Sequence, residues 1–155
     1  MDKKTLKKII FLAILGFLVS AYLLKAYYSD GSQLCDISET FSCTEVKNSD
    51  YSKAFGIPMA GYGLAAYLLI GLIAVCRYKK EQLLKKEWLQ KVFTQQSLFY
   101  VSFVALIFSL YLTYTEFFII KALCLFCLVS FGIIAIITFY TYKNLKIKKT
   151  VEPRF

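Results

Sequence analysis

Apolar residues run together in four long blocks along this chain, and charges collect in short clusters between them. A helix crosses a hydrocarbon core of roughly 30 Å with about 20 residues at 1.5 Å each. The first block covers residues 9–28 and is interrupted only by Lys25 near its end, where the side chain can reach the interface. The second covers residues 57–76, with Pro58 suited to a first helical turn. Between Lys91 and Lys143 the only charges are Glu116 and Lys121, so this stretch reads as two spans, 98–117 and 122–141, joined by a short turn. The pattern predicts an all-α integral membrane protein: a four-transmembrane-helix bundle forming one domain over residues 1–155, without tandem repeats or a second soluble domain.

Basic residues assign the sides. Lys3, Lys4, Lys7 and Lys8 precede the first span. Arg77, Lys79, Lys80, Lys85, Lys86 and Lys91 fill the connection 77–97, and Lys143, Lys146, Lys148, Lys149 and Arg154 follow the last span. The long loop 29–56 instead sets Lys47 and Lys53 against Asp30, Asp36, Glu39, Glu45 and Asp50. Both termini are therefore expected in the cytoplasm, with the long loop and the Glu116–Lys121 turn outside. A cleaved signal peptide competes for the first span, but its apolar stretch exceeds the usual 7–15 residues of a signal core and no cleavage site stands out.

Composition sharpens this picture. Of 155 residues 58% are hydrophobic, yet the formal charge is +9, a combination unusual for a soluble domain. The lysines flank apolar blocks instead of forming a face of their own, so topology accounts for them and nucleic acid is not an expected partner. Histidine is absent, which removes the commonest general base, haem ligand and zinc nitrogen ligand together.

The cysteines carry the candidate chemistry. Cys124 and Cys127 lie in "CLFC" at the outer end of the fourth span, and their i, i+3 spacing places both on one helical face. Cys35 and Cys43 lie in the outer loop, within "LCDISETFSCTEVKNS". Four cysteines thus share the side on which disulfides form and persist. Cys76, at the inner end of the second span, reads as packing or an incidental thiol. Structural staples and a four-cysteine zinc site both compete with redox exchange, although the spans add no further zinc ligands. A helix amino end stabilises a thiolate, and Lys121 adds positive charge, so Cys124 is expected to be the more acidic of its pair. Exchange needs one mobile pair and one fixed pair, a division the loop and the helix supply. With neither a metal set nor a dinucleotide fold in view, a lipid-soluble quinone is the expected electron acceptor, held in an apolar, aromatic pocket. Aromatics make up 17% of the chain.

In these motifs the sequence resembles the vitamin K epoxide reductase family in its bacterial form. The resemblance rests on the Cys35–Cys43 loop with Ser49 beyond it, on "FGIP" before the second span, on "SLYLTYTEFF", and on "CLFC". It implies a membrane thiol–disulfide oxidoreductase in a bacterial inner or plasma membrane. Such an enzyme takes electrons from a thioredoxin-like (Dsb-type) partner and reduces a menaquinone, ubiquinone or vitamin K-type quinone. By that resemblance Cys35 meets the partner, Cys43 exchanges with Cys124, Cys127 faces the quinone, and Ser49 supports the loop; a turn serine is the plain alternative for Ser49. Tyr62, Leu112 and Phe131 are the quinone-site candidates on the same analogy. In the vertebrate branch an asparagine and a tyrosine bind the quinone oxygens. The matching Met59 and Phe131 donate no hydrogen bond, which points to plain quinone reduction instead of epoxide reduction. The family's bacterial members include some with a fused thioredoxin-like domain; here the expected partner is a separate protein.

Two other readings stand beside this one. A Dsb-type quinone-linked oxidase has four spans too, but carries its Cys-x-x-Cys in the first outer loop. A non-enzymatic membrane scaffold would use its disulfides only as staples, which resist exchange.

Overall fold

The computed structural model describes residues 3–29, 43–79 and 95–151. Four helices dominate: α1 (Lys3–Tyr28), α3 (Met59–Tyr78), α4 (Gln95–Thr115) and α5 (Leu125–Val151). All four are long and apolar enough to cross a membrane. A short helix α2 (Cys43–Asn48), a 3-10 turn (Asp50–Ser52) and a two-stranded hairpin lie between α1 and α3.

The helices close into a ring, α1 packing on α3, α3 on α4, α4 on α5 and α5 back on α1. Its core holds Leu6, Ile9, Tyr67, Ile70, Ile73, Leu98, Ile134 and Ile137. In lipid there is little hydrophobic drive between helices, so small residues that permit close approach and interhelical hydrogen bonds hold such a bundle together. Gly16 of α1 lies directly under the Tyr67 ring of α3, where a Cβ would overlap ring carbons. A Cβ added at Gly71 would lie 3.7 Å from the Ala13 methyl, an ordinary contact distance. Polar contacts join α4 to α5: Thr138 Oγ1 donates to the Ser102 carbonyl at 3.1 Å, and Ser102 Oγ and Thr141 Oγ1 lie 3.3 Å apart. Tyr67 donates its hydroxyl proton across the bundle to the Ser130 carbonyl at 2.8 Å.

The outside of the ring is apolar. Phe11, Ile14 and Leu18 on α1, Leu69 and Leu72 on α3, Val104 and Ile107 on α4, and Phe139 on α5 all point outward. A surface of this kind suits lipid and not water.

The two ends of the bundle differ. At one end the start of α1 meets the ends of α3 and α5: the Lys7 ammonium sits 5.9 Å from the Tyr78 ring centre and Lys8 5.8 Å from that of Tyr140. These cation–π contacts carry α1 back to Lys3, beyond the expected start at residue 9. At the opposite end, hereafter the cysteine end, the hairpin pairs Lys53 with Pro58 and Ala54 with Ile57. Phe55 and Gly56 form its turn with φ of 51° and 80°, the positive values that a tight two-residue hairpin turn requires. Pro58 ends the second strand, and α3 begins one residue later, at Met59.

The end of α4 is irregular. Thr113 and Thr115 donate their hydroxyls back to the Ser109 and Leu112 carbonyls, at 3.0 and 2.7 Å, giving the backbone alternatives to its regular ladder. The chain then widens into a π-helical turn over Glu116–Ile120. Lys121 stops it in the left-handed region at φ 57°, and residues 121–124 lead without helix into α5.

Candidate functional site: a cysteine pair beside an apolar cavity

Cys124 is the last residue before α5, and its carbonyl accepts the Leu128 N–H at 3.1 Å, the first bond of that helix. Cys127 lies one turn on. Both carry thiols: Cys124 is buried, at 2% exposure, and Cys127 is half-buried. The hydrogen bond from the Cys127 thiol draws the pKa of Cys124, which lies just ahead of the fourth span, below that of an ordinary thiol; burial opposes this. Two physical sources thus favour the Cys124 thiolate, the helix start and the neighbouring thiol.

Around Cys124 pack Leu23 of α1, Phe126, Cys127 and Val46 of α2. Val46 is one helical turn after Cys43, the first residue of α2, so the loop helix that opens at Cys43 rests against Cys124. Ser49 ends this helix. Its hydroxyl donates to the Val46 carbonyl at 2.7 Å, and its own carbonyl accepts the Ser52 N–H at 3.0 Å. Ser49 therefore links α2 to the 3-10 turn and helps hold Val46 in place. The backbone of Cys43 is described but not its side chain, and Cys35 lies outside the described residues.

Behind the pair is a cavity of about 180 Å³ between α1, α3, α4 and α5, whose walls include both cysteines. Apolar cavities of roughly 150 Å³ accept a benzene ring, so this one has room for a single ring-sized group. Tyr62, Leu112 and Met59 line it, with Tyr67 and Phe108. The Tyr62 hydroxyl donates to the Ala54 carbonyl at 3.1 Å, tying the hairpin to α3, and its ring lies 6.1 Å from that of Phe108. Phe131 is half-buried, one turn beyond Cys127 on α5, and is not among the residues lining the cavity. Of the three quinone-site candidates the fold thus brings Tyr62 and Leu112 to the cavity wall and does not bring Phe131 there.

Glu116 was visible in the sequence only as a turn charge, and the fold places it at the centre of the site. It lines the cavity at 3% exposure, and its Oε2 accepts the Cys124 N–H at 3.2 Å. The Cys127 thiol lies within hydrogen-bonding reach of both the Cys124 sulfur and the Glu116 carboxyl. The signal that could have found it is its isolation: an acid surrounded by apolar sequence in a span is costly and marks function by default. Among the described residues no group of three or more histidine, cysteine, aspartate or glutamate side chains is arranged to hold a metal ion.

A thiol pair, buried at Cys124 and half-buried at Cys127, covered by a loop helix and backed by an apolar cavity, can exchange with a disulfide on one side and meet a ring-shaped oxidant on the other. The sequence agrees with this chemistry over most of its length. Residues 7–142 match the vitamin K epoxide reductase family, and the chain belongs to that family of membrane redox enzymes.

Proposed function

We propose that this protein passes electrons from a reduced thioredoxin-like partner, through two cysteine pairs, to a membrane quinone, and so supports disulfide formation outside the cytoplasm. The single observation that carries the reading is the position of Cys124 and Cys127 between a docked loop helix and an apolar cavity. Cys35 receives electrons from the partner and passes them to Cys43. A Cys43 thiolate then attacks Cys124 of an oxidised Cys124–Cys127 pair, and Cys127 leaves as a thiolate. Cys35 next attacks Cys43, which closes the loop disulfide and returns Cys124 as a thiol.

Two electrons then leave the Cys124–Cys127 dithiol for the quinone as the S–S bond reforms, and two protons accompany them. Tyr62 and Leu112 bound the ring site, and Phe131 lies one turn beyond Cys127 on α5. Ser49 keeps α2 in register over Cys124. The acidic loop and the cysteine end face the outside, and the lysine-rich end faces the cytoplasm.

The test is quinone-dependent oxidation of a reduced thioredoxin-like protein by the purified chain in detergent or lipid. The expected result is stoichiometric loss of quinone absorbance with disulfide formation in the partner. A chain whose cysteines stay oxidised and exchange with no thiol partner is a stapled scaffold, and that result would refute the proposal.

A further inference from the structure

We infer that Glu116 is the proton carrier of the quinone-reducing step. The inference rests on the quinone reading above. Three features single this carboxyl out. It is buried at 3% exposure in a span, it lines the same cavity as both cysteines, and it touches the pair from the side of the preceding helix. A carboxyl at this depth is costly unless it is used. It also opens a π-helical turn, a local widening that occurs frequently at functional sites.

The step balances with groups already present. Cys127 gives its proton to the Glu116 carboxylate. Two electrons pass from the two sulfurs to the quinone as the Cys124–Cys127 bond forms. Glu116 delivers its proton to one oxygen of the reduced ring, and the Cys124 proton goes to the other. Dithiol and quinone become disulfide and hydroquinone, and Glu116 ends as the carboxylate it began as. The alternative is purely structural: Glu116 caps the start of α5 by accepting the Cys124 N–H. The two roles separate cleanly, because a glutamine still accepts that N–H through its amide oxygen but holds no transferable proton.

The experiment compares wild type, Glu116→Gln and Glu116→Asp in two assays: steady-state quinone reduction, and single-turnover reduction of the Cys124–Cys127 disulfide by dithiothreitol without quinone. Positioned acid–base groups contribute roughly 10²–10⁴-fold, so Glu116→Gln should lower kcat by about 10²-fold or more with quinone KM changed less than about threefold. Its dithiothreitol step should stay near the wild-type rate, and Glu116→Asp should recover part of kcat. Full kcat in Glu116→Gln overturns the inference. So does an equal slowing of both assays, or loss of the folded protein in Glu116→Gln and Glu116→Asp alike, since these mark a capping role. If wild type itself exchanges thiols but reduces no quinone, the proposed function fails, and the carrier inference falls with it.

Discussion

Gly16→Ala tests how the bundle is held and whether its packing sets the shape of the site. A Cβ on Gly16 would overlap three atoms of the Tyr67 ring. That ring is pinned at its far end, because the hydroxyl bonds to the Ser130 carbonyl at 2.8 Å and lies 2.9 Å from Ser130 Oγ. Tyr67 is 4% exposed, and the open space beside its side chain is the cavity that it lines. Either α1 moves away from α3, or the ring moves and the bonds to α5 break. Overpacking costs about 1–3 kcal/mol, and an interhelical hydrogen bond in a membrane contributes about 0.6 and at most about 1.7 kcal/mol. The expected destabilisation is therefore about 1–3 kcal/mol if α1 moves, and up to roughly 5 kcal/mol if the ring moves and its bond to α5 is lost as well.

Titration of the purified protein from mild detergent into dodecyl sulfate, followed by circular dichroism, reads the shift. Tyr67→Leu removes the ring, so the double variant should be less destabilised than the two single effects added, by about 1 kcal/mol or more. Because Tyr67 also lines the cavity, Gly16→Ala should raise quinone KM in whatever fraction stays folded. A Gly16→Ala protein within about 0.5 kcal/mol of wild type, or strict additivity in the double variant, would refute the close-contact argument.

Three further outcomes are expected. Cys127→Ser should accumulate a Cys43–Cys124 linkage, seen by mass spectrometry of alkylated, non-reduced protein; full turnover without that linkage would remove the relay. A membrane-impermeant thiol reagent applied to intact, reduced cells should label Cys35 and spare Cys76, and the reverse pattern would invert the topology. Phe131→Ala should weaken a quinone-competitive inhibitor only a few-fold, since Phe131 does not line the cavity, whereas Leu112→Ala should weaken it more. Equal and unchanged inhibition in both variants would move the ring site elsewhere.

What the sequence made legible follows the range of each force. Four spans could be read because transfer to lipid sums over about twenty residues and tolerates errors at any one of them. The ends were less legible. Lysine is a good helix former, and Lys7 and Lys8 find aromatic faces on other helices, so α1 runs back to Lys3 although its apolar block starts later. Helix α2 is only "CTEVKN" and carries no apolar stripe; its stability comes from Val46 on Cys124 and from the Ser49 hydroxyl, contacts a linear reading does not contain.

The candidate site divides in the same way. Cys124 immediately precedes α5 and Cys127 lies in its first turn, so their juxtaposition follows from spacing along one continuous segment. Glu116 reaches them across a break, and its direction depends on how the chain turns between α4 and α5. The π-helical turn closes its bonds over five residues instead of four, which shifts the helical phase, and the left-handed Lys121 then reverses the chain. A 3.6-residue period extended through residue 116 therefore misplaces everything after it. The same irregularity returns the backbone so that the Cys124 N–H meets the Glu116 carboxyl instead of facing lipid unpaired. Removing it, for instance by deleting one residue from Phe117–Ile120, would restore a regular helix and carry Cys124 away from the acid. Four good spans would remain, without the contact on which proton transfer depends.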